Sequence, residues 1–289
     1  MIEVFAVLLV TALASSLLGV FLVLKGQAMT TDAISHTILL GIVIAFFITN
    51  DLRSPLLIIG AAVIGLITVY LIELVTASGL MKQDAAIGIV FTALFAAAVI
   101  LVSRYADNVH LDIDIVLMGQ VLFAPLNRIE LLCISLPYAL VQLTIVFIIN
   151  ILFVLIFYKE LKVTSFDPVY AAAAGISTTF IYYILMTLVS VTAVTAFDAV
   201  GSILVISFFV APAITAYLVT KRLSHMIWLT LITAAFNSLL GCSFGYFTDI
   251  SISGSVASVS LVTFLAVFFF NKNGWIRKTL KTRRMLRKI

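Results

Sequence analysis

The sequence divides into about nine apolar runs of roughly twenty residues, each closed by a short polar or charged turn. A run of that length, wound as a helix at ~1.5 Å per residue, crosses the ~30 Å hydrocarbon core of a bilayer. In lipid every backbone N–H and C=O must be satisfied within the protein, so only helices and closed barrels span. The runs are continuous and lack the alternating ten-residue segments of a barrel, which leaves helices. A chain of 289 residues that is 63% hydrophobic and 10% charged, with a mean hydropathy of +1.26, has too little polar surface for a soluble domain. The expected fold is an all-α polytopic membrane protein with about 8–9 transmembrane helices. One transmembrane domain covers residues 1–271, and a basic tail covers 272–289.

The first run, about 4–24, follows Glu3 where a signal peptide would carry basic residues, and it reads as a spanning helix. Further spans are expected at about 33–49, 56–76, 85–102 and 131–157. A sixth follows the polar elbow Leu161 to Gly175 and continues to about Val191; a seventh is opened by Phe197-Asp198-Ala199-Val200-Gly201 and ends at Lys221-Arg222. The last two cover about 227–247 and 255–270. The mixed stretch 104–128, with Asp107, His110, Asp112 and Asp114, suggests a segment lying on the membrane surface. Cys133 and Cys242 fall in apolar runs and imply packing, with no disulfide framework.

Charge placement predicts the orientation. With the tail in the cytoplasm and nine alternating spans, Lys25, Lys82, Lys159, Lys162, Lys221, Arg222 and eight tail residues lie inside, against Arg53, Arg104 and Arg128 outside. Fourteen against three follows the positive-inside rule. The outer face is then acidic, holding Asp51, Asp107, Asp112, Asp114, Glu130 and Asp249.

Within the second run, Asp32 and His36 stand four residues apart, which on a helix puts them on one face. A carboxylate and an imidazole are metal donors of the hard-to-intermediate kind. Their burial in hydrocarbon without a partner would cost several kcal/mol, so the pair is expected to face a pathway. The bland alternative is a pair that hydrogen-bonds to itself or to a neighbouring helix. Counted 11 residues from Lys25, His36 lies about 16 Å deep. Two donors are fewer than the four to six of such sites. Asp198 is a further candidate ligand, or else a helix-start acid favoured by the dipole. His110 and His225 read as interfacial, Asn150 and Asn237 as interhelical hydrogen-bond partners, and Pro212 as a kink. In the elbow, Ser165 or Asp167 can cap a helix and Pro168 suits its first position.

No HExxH, Gly-x-Ser-x-Gly or P-loop motif is present, so the chain is not expected to be an enzyme. If ATP drives transport, another chain must bind the nucleotide. The competing classes are an ion-gradient-driven secondary metal transporter, which should show inverted repeats, and a membrane scaffold, which needs no Asp/His pair.

Three motifs, in this order, carry a family resemblance: Asp32-Ala33-Ile34-Ser35-His36 with Leu40-Gly41; Phe166-Asp167-Pro168 before a small-residue helix; and Phe197-Asp198-Ala199-Val200-Gly201-Ser202-Ile203-Leu204 leading to Ala211-Pro212-Ala213. They resemble the membrane subunit of the zinc/manganese/iron class of bacterial ABC importers, over the chain up to about Phe270. The resemblance implies a type II importer-like permease in the bacterial cytoplasmic membrane, as a homodimer or a heterodimer with a related permease. It also implies two cytoplasmic ATP-binding subunits and an extracytoplasmic metal-binding lipoprotein. Nucleic acid is not an implied partner, and no cofactor is permanently bound. Asp32 and His36 would contact the passing metal near the dimer axis, and Phe166, Asp167, Pro168, Val169 and Tyr170 would form the coupling helix on the ATPase. Leu40 stands where many relatives have proline, and Tyr170 departs from the usual residue after that proline-containing elbow motif. The stretches 37–43 and 54–60 look most like the manganese importers of Gram-positive bacteria. Mn²⁺ is therefore the expected cargo, with Zn²⁺ or Fe²⁺ possible at the same donors.

Overall fold

The computed structural model describes residues 1–50, 54, 56–105, 121, 124, 127–131 and 134–270. Most of the expected surface segment, including Asp107, His110, Asp112 and Asp114, lies outside the described residues, as do Cys133 and the tail 272–289. The helices are α1 (Ile2–Leu24), α2 (Ala28–Thr49), α3 (Leu56–Ala77), α4 (Gln83–Tyr105), α5 (Tyr138–Ile156), α6 (Tyr158–Phe166), α7 (Pro168–Ala173), α8 (Thr178–Val200), α9 (Ser202–Val219), α10 (Leu223–Phe247) and α11 (Ile252–Phe270). Among the described residues nine of these are long and apolar enough to cross a membrane, all but α6 and α7.

The helix α1 is apolar on every side, so it is stable only where other helices surround it. It packs against α5, α8, α9 and α10. Leu8, Leu18 and Phe21 are fully buried with Leu143, Leu185, Met186, Phe208 and Phe209. Thr11 returns its hydroxyl to the carbonyl of Val7 (2.7 Å), which keeps a polar atom satisfied inside the bundle. Lipid is as apolar as leucine, so close packing and interhelical hydrogen bonds hold such helices together. Asn150 of α5 supplies one of those bonds. Its amide donates to Thr192 Oγ1 of α8 at 2.9 Å and to the carbonyl of Ala14 in α1 at 3.4 Å. Asn237 of α10 accepts from Thr263 of α11 at 2.9 Å. Both asparagines are interhelical partners, as their setting predicts.

A second layer, α2, α3 and α4, lies against this bundle, with α2 packed between the other two. The α2–α3 crossing depends on Gly41: a Cβ there would stand 2.5 Å from the carbonyl oxygen of Gly60. Beside it, Thr68 Oγ1 donates to Thr37 Oγ1 at 2.8 Å. Two bonds tie α3 to α8: Ser190 Oγ to the Ala62 carbonyl (3.1 Å) and Tyr183 OH to Glu73 Oε2 (2.6 Å).

The structure alters several boundaries. The fifth span starts at Tyr138, because two short strands precede it and pair antiparallel as a small hairpin, β1 (Arg128–Leu131) and β2 (Ile134–Pro137). Arg128 clamps Glu3 through both carboxylate oxygens, at 2.7 and 2.8 Å, so this hairpin marks the end of the bundle where α1 begins. The sixth span runs on past Val191 to Val200. Thr195 bonds back to the Val191 carbonyl at 3.0 Å, which lets the helix continue through a polar patch. It breaks at Gly201, whose φ of 82° and ψ of 163° belong to a region open essentially to glycine. Pro212 lies inside α9 without ending it, His225 is exposed in the first turn of α10, and Cys242 is buried in α10.

Candidate functional site

The helix α2 starts at Ala28, three residues beyond Lys25, so His36 lies 36 − 28 = 8 residues, or about 12 Å, from the end of the bundle holding the elbow. The hydroxyls of Thr31, Ser35 and Thr37, flanking the pair, are satisfied by backbone carbonyls of the same helix. Ser35 donates to the Thr31 carbonyl (2.6 Å), and Thr37 to the carbonyls of Ala33 and Ile34. Thr31, Ala33, Ser35 and Thr37 are buried, while Asp32 and His36 remain half-buried, at 40% and 31% side-chain exposure. The pair therefore points out of the chain's own packing.

His36 Nε2 stands 3.5 Å from Asp32 Oδ1, longer than an ordinary N–H···O hydrogen bond. It is close to the spacing of two ligands on one cation: bonds of ~2.1 Å meeting near 110° put the donors about 3.4 Å apart. The imidazole rests against two rings of α4, Phe91 at 5.5 Å and Phe95, edge-on, at 5.8 Å. These contacts orient the ring and dry one side of it. Neither phenylalanine was identifiable beforehand, since an i, i+4 aromatic pair inside an apolar run looks like any other lipid-facing or packing pair.

Asp198 is exposed in the last turn of α8, not at a helix start. The reading as an N-terminal acid is thereby overturned: at this end the helix carbonyls oppose a carboxylate. Asp198 lies 198 − 178 = 20 residues along α8 from Thr178, or about 30 Å. Among the described residues no three His, Cys, Asp or Glu side chains gather as a metal site, so Asp198 does not join Asp32 and His36 within one chain.

The elbow consists of two short helices. α6 continues almost directly from α5, and Asp167 caps α7, its Oδ1 accepting from the Tyr170 amide at 2.9 Å, with Pro168 in the first turn. Asp167, not Ser165, is thus the cap. Phe166, Val169 and Tyr170 are exposed, at 60%, 80% and 63%. Behind the elbow, Lys25 Nζ donates to the Thr164 carbonyl at 3.2 Å. Burial lowers the Lys25 ammonium below its usual range.

A model described as the ABC 3 transport family matches residues 1–271. The chain is 42% identical over 271 residues to the manganese transport system membrane protein MntD of Bacillus subtilis, covering 93% of this chain and 92% of that one. It is also 42% identical over 282 residues to the zinc transport system membrane protein TroD of Treponema pallidum, covering 97% and 77%. Among solved structures, a chain of PsaBC from Streptococcus pneumoniae, in complex with Fab, superposes with a TM-score of 0.78 at 29% identity, covering 97% of this chain and 94% of that one.

Proposed function

The chain belongs to the ABC 3 transport family, and from that premise we propose how it moves its cargo. It is the transmembrane permease subunit of an ABC transporter that imports divalent transition-metal cations. Manganese is the first-ranked cargo and zinc the second, in keeping with the relatives named for each. The observation that carries the site is the Asp32–His36 pair: two donors 3.5 Å apart, half-exposed on a helix where the neighbouring Thr31, Ser35 and Thr37 hydroxyls return to backbone carbonyls. An ionisable pair left open toward lipid would be costly, so a second permease subunit, identical or related, covers that face. Two such pairs around a dimer axis make four donors, which meets the requirement that one chain cannot. Their half-open setting suits a cation that must be released as well as bound. Asp198, on the order of 18 Å from His36 along the bundle by the two helix counts, is a contact nearer the entrance.

Power comes from two cytoplasmic ATP-binding subunits, and the metal is delivered by an extracytoplasmic binding lipoprotein. The elbow end of the bundle is cytoplasmic, because Lys25, Lys82, Lys159, Lys162, Lys221 and Arg222 lie at that end. Phe166, Val169 and Tyr170 are the ATPase anchors, with Asp167 and Pro168 fixing the turn that presents them.

Asp32→Ala and His36→Ala are expected to abolish manganese uptake while leaving insertion intact, since each removes a polar group from an apolar span. Cell-associated manganese and membrane protein level are measured together. Normal uptake by both variants at normal abundance would sink the ligand assignment.

A further inference from the structure

A cavity of about 360 Å³ lies at the elbow end, between the α1–α2 turn, α3, the start of α4, α8 and the elbow itself. Its walls carry two charges of opposite sign, Lys25 and Glu73, together with Gln27, Thr164 and Pro168. Among the described residues Lys25 forms no ion pair. Its ammonium bond to the Thr164 carbonyl is the one side-chain hydrogen bond there between the α1–α2 turn and the elbow.

That bond joins two functional parts by a short route. Thr164 is two residues before the exposed Phe166, and Lys25 is seven residues before Asp32. The connecting turn is compact: Gly26 adopts φ of 70°, and the Gln27 amide bonds back to the Leu22 carbonyl at 2.8 Å. Lys25 is thereby joined to the first turn of α2 through a compact, hydrogen-bonded connection.

We propose that Lys25 is a positioning residue for transport, linking displacement of the elbow to the Asp32–His36 pair through the α1–α2 turn. The cavity is the space into which the elbow and turn move. The inference rests on the elbow being the ATPase contact. Glu73 lines the same cavity and has one carboxylate oxygen held by Tyr183 at 2.6 Å. When the elbow withdraws the Thr164 carbonyl, Glu73 supplies a second acceptor for the ammonium. One bonded position of Lys25, on the Thr164 carbonyl, is observed; the second, on Glu73, belongs to the proposal, since an element with two discrete arrangements is what coupling between distant sites requires.

The permease, its ATP-binding subunits and its metal receptor are reconstituted in proteoliposomes, and Mn²⁺ uptake and ATP hydrolysis are followed in the same vesicles. Lys25→Met, which keeps the stem and removes the donor, is expected to lower Mn²⁺ moved per ATP at least five-fold while the ATPase still co-purifies. Lys25→Arg should restore the ratio to within two-fold, and Thr164→Val should leave it unchanged because the acceptor is the main chain. Glu73→Gln should lower it about two-fold. A wild-type complex that hydrolyses ATP without moving Mn²⁺ or Zn²⁺ would refute the transport reading, not this one. A transporting wild type with an unchanged ratio in Lys25→Met, or loss of the ATPase from that variant, overturns the proposal. Should Lys25→Met fail to reach the membrane, Lys25→Gln takes its place: a wild-type ratio overturns the linkage, and a reduced ratio rescued by Lys25→Arg supports it.

Discussion

Gly41→Ala tests the α2–α3 crossing on which the metal pair is carried. The new methyl would stand 2.5 Å from the Gly60 carbonyl oxygen, 2.6 Å from Ala61 Cα and 2.8 Å from Ala61 N. Ordinary contact begins near 3.4 Å, so the helices must part by 3.4 − 2.5, about 0.9 Å. All three obstructing atoms are backbone within α3 and cannot swing aside. Overpacking of this kind costs about 1–3 kcal/mol, partly offset by the ~1 kcal/mol gain in helix propensity on replacing glycine. The net expectation is a loss of about 0–2 kcal/mol. Gly88→Ala in α4 supplies the control, because a Cβ there meets nothing within 4 Å and only the propensity gain remains. The difference between the two variants, about 1–3 kcal/mol, isolates the crossing. It is read by titrating each purified variant from mild detergent into sodium dodecyl sulfate and following loss of helix. The Thr68–Thr37 bond of 2.8 Å, about one turn from Gly41, should also lengthen, so manganese uptake should fall in Gly41→Ala and not in Gly88→Ala. Equal stability of the two, within 0.5 kcal/mol, would show that the helices do not cross as closely as the structure has them.

Phe166→Ala or Tyr170→Ala should cost on the order of 2 kcal/mol of ATPase association, read by co-purification; both retaining the ATPase and its metal-stimulated hydrolysis would move coupling to another loop. Asn150→Ala removes an amide bonded to Thr192 and Ala14 and should destabilise the detergent-solubilised protein by about 1 kcal/mol; an unchanged unfolding midpoint would deny the bond any weight. Cysteine at Asn127, beside the hairpin, should react with an impermeant thiol reagent from outside, and cysteine at Lys162 only after permeabilisation; the reverse pattern would invert the topology.

The membrane fold was legible in the sequence because spanning is decided locally. A twenty-residue apolar run has to become a helix in lipid whatever its neighbours do, which is why α1, α3 and α10 fall close to their expected bounds. The Asp32–His36 pairing was legible for the same reason: four residues on a helix always share a face. The cap at Asp167-Pro168 is another local feature, completed within four residues. Tertiary structure decided what local chemistry leaves equal. Leucine, isoleucine and phenylalanine are alike to lipid, so nothing in α4 marked Phe91 and Phe95 as the rings that hold His36. The end of α8 depended on which residue could take the backbone of Gly201, and it moved Asp198 from a helix start to a helix end. Contacts such as Lys25 to Thr164 and Glu3 to Arg128 join residues 139 and 125 positions apart. Such pairs exist only after helices have chosen their neighbours, because that choice rests on backbone approach and shape at crossings such as Gly41 on Gly60.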